Sequence, residues 1–182
     1  EVEAAIQTGD VLLFRGRNLF SWLIKLRTRS IYSHAGIVQR IRTNGHSRIC
    51  VIEALEPFGT RLYPLDKYLS TGEKIDWFKL TDPGIDPEKV ADYAIAQWGA
   101  AYAIRNLWWS FSGLGQLLRR FRAFHKLTKL TTDPKSFFCS QLVAEALRHA
   151  GFQADEGLVP IETDPGAVAR FTCLHRKGTL EP

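Results

Sequence analysis

Methionine is absent from the 182 residues, and the chain starts EVEAAIQTGD. That combination leads us to expect a processed mature chain or an excised domain, in which any signal segment is out of view. No run of about eighteen uninterrupted apolar residues occurs, which argues against a spanning helix. Cysteine is scarce, with Cys50, Cys139 and Cys173 as the three. Their odd number argues against a disulfide framework and leaves at least one thiol free or paired outside the chain. There is no CxxC and no HxxxH, and His46, His125, His149 and His175 are scattered, so neither a metal site nor a cofactor is expected.

Linkers are missing too. No Pro/Gly/Ser-rich stretch, internal repeat or low-complexity tract divides the chain, so a single domain over 1–182 is expected. An apolar share of 45% with 24% charged residues is ordinary for a folded globular protein and excludes disorder as the main reading. Acidic residues are absent from Tyr93 to Thr132, where Arg105, Arg119, Arg120, Arg122, Lys126 and Lys129 supply six positive charges. The formal net charge is +5, so the rest of the chain carries 5 − 6 = −1. The basicity is one patch. Compartment stays open between periplasmic or secreted and membrane-peripheral.

What is present alternates between strand and helix signals. GDVLLFRG (Gly9 to Gly16) is a glycine-bounded apolar strand. NLFSWLIKLRT has a helical period, with Asn18 as N-cap. SHAGIVQRI and RICVIEAL, joined by the polar turn NGHS, form an antiparallel hairpin. GTRLYPLDKYL reads as a short strand and a proline-led helical turn, and KIDWFKL as another strand. Asp86 caps a helix opened by Pro87 and closed by Gly99. FFCSQLVAEALRHAG is the clearest helix, with Leu142, Val143, Ala146, Leu147 and Ala150 as its apolar stripe and Gly151 as terminator. A last strand is expected in RFTCLHRKG. Several antiparallel strands with a few helices make an α+β domain.

Three residue types in this pattern carry chemistry. Cys139 sits at or beside the first turn of its helix, where orphan N–H groups and the helix dipole favour thiolate over thiol. A thiolate is the nucleophile that acyl transfer needs, and neighbouring N–H groups suit an oxyanion. The competing reading is a small apolar residue packed under the helix start, which is how Cys50 and Cys173 read. His34 shares a strand face with Gly36 and Val38. Glycine there leaves room for a neighbouring backbone or a substrate. Glu53 shares a face with Ile49 and Val51, and a carboxylate at the end of such a strand needs a partner. The hairpin brings it alongside His34, where it could orient the imidazole. Glu56 competes for that role, and both His34 and Glu53 retain a purely structural alternative.

GDVLLFRG, TRSIYSHAGIV, VIEA and FFCSQLVAEAL together resemble the circularly permuted branch of the NlpC-type papain-like cysteine hydrolases, the YiiX/YaeF-like permuted amidases. In this branch histidine precedes cysteine, here by 139 − 34 = 105 residues. The resemblance implies a papain-like fold, with a small antiparallel β-barrel-like sheet and packed helices. It implies Cys139 as nucleophile, His34 as general base and acid, and Glu53 as the orienting third member. It places Tyr32 and Tyr102 as substrate-lining candidates. The implied activity is cleavage of an amide, peptide-like or acyl bond, with a small-molecule, peptide-like or lipid substrate from the cell wall or a membrane. The lecithin:retinol acyltransferase-like group shares the permuted Cys/His order, so lipid-directed acyl transfer or thiol lipase activity is the alternative.

A basic aromatic insertion at about 104–131 falls outside the resemblance. Leu107, Phe111, Leu114, Leu118, Phe121, Phe124 and Leu127 keep a roughly helical period. Trp108, Trp109, Arg119, Arg120 and Arg122 suit peripheral contact with an anionic membrane, and the plain alternative is a helix packed on its own domain. Nucleic acid is disfavoured because no recognition motif accompanies the charge. A non-catalytic membrane- or wall-binding module is the reading of a different class.

Overall fold

VLLF supplies four consecutive apolar residues, which suits a strand covered on both sides, and β1 (Val11–Phe14) is buried at all four positions. The structure is a computed structural model that describes residues 2–16, 19–55, 58–99, 139–153 and 163–181. Within them β1 lies inside a six-stranded antiparallel sheet. Its other strands are β2 (His34–Thr43), β3 (His46–Leu55), β4 (Gly59–Pro64), β5 (Ile75–Leu80) and β6 (Leu174–Leu180), in the order β4-β3-β2-β1-β5-β6. Among the described residues β4 and β6 are edges, so the hydrogen bonding makes an open sheet where the sequence raises the expectation of a barrel-like closure.

The helices are α1 (Val2–Ala5), α2 (Leu19–Thr28), α3 (Leu65–Leu69), α4 (Pro87–Ala96), α5 (Cys139–His149) and α6 (Pro165–Val168). Alternation along the strands divides the apolar residues into two cores. Val11, Leu13, Ala35, Ile37 and Ile52 face α4 and α5 and join Val90, Ala94, Leu142, Val143 and Leu147. Leu12, Phe14, Val38, Ile49 and Val51 face the other way and are closed by Leu65 of α3, with Tyr68 packed against them. Full burial of a leucine such as Leu142 stabilises by roughly 1.5–3 kcal/mol.

The expected hairpin turns on Asn44 (φ 48°) and Gly45 (φ 80°), the two left-handed residues of a tight connection whose twist matches its strands. The two strands then pair from Ile37↔Ile52 to Thr43↔His46. Asp86 caps α4 by accepting from the Glu88 N–H at 3.0 Å, with Pro87 opening the helix. At the end of α5, Gly151 (φ 115°) lets the Phe152 N–H reach back to the Leu147 carbonyl at 2.9 Å while its own N–H bonds Arg148. That double closure stops the helix where the glycine predicts.

The last strand starts later than the sequence suggests, at Leu174, and runs on to Leu180 opposite Ile75. Arg170 and Phe171 instead belong to the turn leaving α6. That helix has no counterpart in the sequence reading, although Asp164 caps it by accepting from Ala167 N–H at 2.8 Å and Pro165 opens it. Four residues are too few to show a period.

Candidate active site

Hairpin register places the first two candidates. His34 opens β2 opposite Phe14, whose ring lies 5.1 Å from the imidazole. Glu53 is the next residue of β3 beyond the Ile37↔Ile52 pair and is fully buried. Gly36 between them admits no side chain, since a Cβ there would sit 2.3 Å from Val51 Cγ1 and 3.6 Å from Glu53 Cβ. The room that this glycine leaves is filled by Val51.

The imidazole Nε2 and Glu53 Oε2 are 2.6 Å apart, at the short end of the hydrogen-bond range. A carboxylate only accepts, so Nε2 holds the proton and Nδ1 is the nitrogen left for another partner. Cys139 is the neighbour on that side, close enough for its thiol and the imidazole to shift one another's protonation. The first residue of α5 therefore meets the first residue of β2. Backbone N–H groups of Ala35 and Ser140 also lie near enough to the sulfur to favour its thiolate. The Ser140 hydroxyl donates to the Thr163 carbonyl at 2.5 Å, tying the first turn of α5 to the segment before α6.

Electrostatics follow from these contacts. Burial pushes the Cys139 thiol up, but the imidazolium charge, its hydrogen bond and the two N–H groups outweigh that and hold it below the usual thiol value. Burial likewise opposes protonation of His34, and the facing thiolate and Glu53 carboxylate override it and raise its pKa. Desolvation would raise Glu53, yet bonds from His34, Tyr68 and Arg61 keep it charged and lowered. The other two thiols behave oppositely: burial raises Cys50, and it pushes Cys173 up to about 12. All three cysteines are free and buried, so exposure does not distinguish them and their neighbours do.

Arg61 and Tyr68 carry no role in the sequence reading, yet both bind Glu53. Arg61 is its cross-strand partner on β4 and donates through Nε to Oε1 at 2.9 Å. The Tyr68 hydroxyl of α3 donates to the same oxygen. An arginine in the strand following VIEA is a signal that hairpin pairing could have exposed. Tyr68 needed tertiary knowledge.

Tyr32 is buried, and its hydroxyl donates to Asp76 Oδ2 at 2.6 Å, within a separate cluster that includes Arg15, Arg176 and Thr179. Its hydroxyl is therefore committed to Asp76. Glu56, Tyr102, Trp108, Trp109, Arg119, Arg120 and Arg122 lie outside the described residues. No helix among the described residues is long and apolar enough to cross a membrane.

No family model matches the sequence, and no curated protein is similar enough to count as a relative. Among solved structures the chain is similar to the crystal structure of metalloprotein yiiX from Escherichia coli O157:H7, DUF1105. The TM-score is 0.61 at 21% identity, over 97% of this chain and 98% of that one. The chain has a YiiX-like fold. "Metalloprotein" describes that neighbour. Here both Glu53 oxygens are engaged by His34, Arg61 and Tyr68, leaving the facing thiol and imidazole as two donors. No group of three or more His, Cys, Asp or Glu side chains among the described residues could hold a metal ion. The donor set does not fit a metal.

Proposed function

We propose that the chain is a cysteine hydrolase of the permuted papain-like type, cleaving an amide, peptide-like or acyl bond through a thioester acyl-enzyme. The observation that carries this reading is His34 bridging Cys139 on one side and Glu53 on the other. His34 takes the thiol proton at Nδ1, and Glu53 keeps the other ring proton on Nε2 and balances the imidazolium. The Cys139 sulfur attacks the carbonyl carbon, and first-turn N–H groups of α5 are the candidates to receive the developing oxyanion. The imidazolium returns its proton to the leaving group. The neutral imidazole that remains takes a proton from water, whose oxygen attacks the thioester carbonyl; the C–S bond breaks, the carboxylic acid leaves and the sulfur–imidazole pair regains its starting protons. General base work of this kind contributes about 10²- to 10⁴-fold.

A lipid-directed form of the same chemistry is the second reading. It is favoured by Trp22 and Leu26, one turn apart on α2, and by Ile31 just beyond it, all more than half exposed. On sequence grounds the basic aromatic segment with Trp108, Trp109, Arg119, Arg120 and Arg122 would add peripheral contact with an anionic membrane.

The test is covalent capture. The protein is incubated separately with peptidoglycan fragments, acyl-lipids and simple amides, and acyl adducts are located by peptide mass spectrometry. An adduct on Cys139 that vanishes in Cys139→Ala is expected, and the class of substrate that forms it selects between the two readings. An adduct that persists in Cys139→Ala sinks the assignment. Failure of every substrate, with Cys139 no more reactive than the other thiols, favours a binding module.

A further inference from the structure

We infer that Arg61 is a positioning residue for the reaction of Cys139: it locks Glu53 as a charged acceptor aimed at His34 and supplies the positive charge that balances the reactive pair. The inference rests on the cysteine hydrolase reading and adds a residue to it.

Glu53 is fully buried, and an isolated carboxylate there would take up a proton to escape desolvation. Once neutral, it would no longer hold the proton on Nε2, and the imidazole could adopt the tautomer that is useless to the thiol. Arg61 prevents this from the far side of the carboxylate. Its Nε bonds Oε1 at 2.9 Å while Oε2 is reserved for His34. Each carboxylate oxygen thus has one direction.

The guanidinium is itself held in place. It lies 4.6 Å from the centroid of Phe58 and 4.3 Å from that of Tyr63, so aromatic rings fix its plane. Its Nη2, also 2.9 Å from Oε1, donates to the Tyr68 hydroxyl at 3.4 Å, and Tyr68 packs edge-on against Phe14, the ring that also contacts His34. An arginine that only paired with a carboxylate for stability would not require this alignment.

Charge supplies the second argument. Thiolate, imidazolium, carboxylate and guanidinium sum to −1 + 1 − 1 + 1 = 0. Without Arg61 the same site carries −1 in a place largely closed to water, which makes loss of the thiol proton harder. Among the described residues the groups facing the pair are Glu53 from β3, with Arg61 from β4 and Tyr68 from α3 behind it. From β1 comes the apolar Phe14, and the first turn of α5 contains no acidic residue.

The test needs no substrate. The full chain is alkylated with iodoacetamide across a pH series, and Cys139 modification is followed by peptide mass spectrometry. Wild type is compared with Arg61→Gln, Arg61→Met and Arg61→Lys. The methionine keeps a long side chain between the two rings, should glutamine fail to fold. Either neutral variant should move the acid limb of Cys139 reactivity up by about one pH unit, roughly tenfold slower labelling below the midpoint. Lysine should restore the limb to within about a third of a unit. A folded neutral variant with an unmoved limb overturns the inference, and so does a lysine variant that shifts as far as glutamine. A wild-type limb at the ordinary thiol value of about 8.5 would instead remove the cysteine hydrolase reading beneath it.

Discussion

The imidazole of His34 and the carboxylate of Glu53 are joined across β2 and β3 by a 2.6 Å contact, and the far oxygen of that carboxylate is taken by Arg61 and Tyr68. This fixes the ring so that its second nitrogen meets Cys139. The arrangement has consequences for activity, for pH dependence and for the packing that supports it.

Glu53→Gln keeps the shape of the side chain and removes its charge. An amide can present its NH₂ to Nε2 and reverse the ring tautomer, so the base towards Cys139 is lost. With whichever substrate acylates Cys139, kcat/KM should fall by about 10²- to 10⁴-fold. Activity within threefold of wild type would show that Glu53 is a structural carboxylate only.

The pH profile follows from the two opposed shifts. Cys139 is held below the usual thiol value, so kcat/KM should rise through a limb that starts below about 8.5. His34 is raised, so the fall on the alkaline side should come above the ordinary imidazole value of about 6.5. Between the limbs the ion pair prevails, giving a plateau. A single rise centred near 8.5 would mean that the thiol acts without its partner.

Gly36→Ala tests the packing beneath the site. Its Cβ would meet Val51 Cγ1 at 2.3 Å, and the strand on which His34 stands would have to shift. We expect a loss of about 1–3 kcal/mol in urea unfolding, partly recovered by adding Val51→Ala. A second substitution that merely adds its own cost would show that Val51 is not the obstacle.

Asp76 on β5 anchors the neighbouring cluster, one β1 position from the Phe14↔His34 pair. Its buried carboxylate collects Arg15, Arg176, Thr179 and Tyr32, and those bonds outweigh desolvation and hold it well below the usual carboxylate range. A depressed folded value means that the stabilisation is complete above the unfolded value of about 3.9 and is lost as pH falls through the folded one. Asp76→Asn should cost about 3 kcal/mol at neutral pH, the lower end for a buried pair because both arginines are partly exposed. The gap between variant and wild type should narrow below pH 4 in thermal melts, and a constant gap would place the cost in packing.

The strands and the order of the site were legible in the sequence because they rest on local patterns. VLLF announces a doubly covered strand by its unbroken apolar run, RICVIEAL announces its faces by alternation, and Asn44-Gly45 announces the hairpin that sets Glu53 beside His34. Cys139 could be singled out because its helix stripe starts just beyond it. What stayed hidden depends on contacts between distant segments. Tyr68 reaches Glu53 from a five-residue helix, and the Tyr32 hydroxyl is drawn to Asp76, 44 residues away. The residue behind Gly36 is Val51 rather than a backbone or substrate, which only the register reveals. The short α6 carries a cap signal but no period.

The most direct measurement of the central claim is the relative alkylation of the three thiols at neutral pH, in wild type and in His34→Gln. Cys139 should be labelled at least tenfold faster than Cys50 and Cys173, whose thiols burial pushes up, and the preference should collapse in His34→Gln. Equal labelling of all three in wild type, or a preference for Cys139 that survives loss of His34, would contradict it.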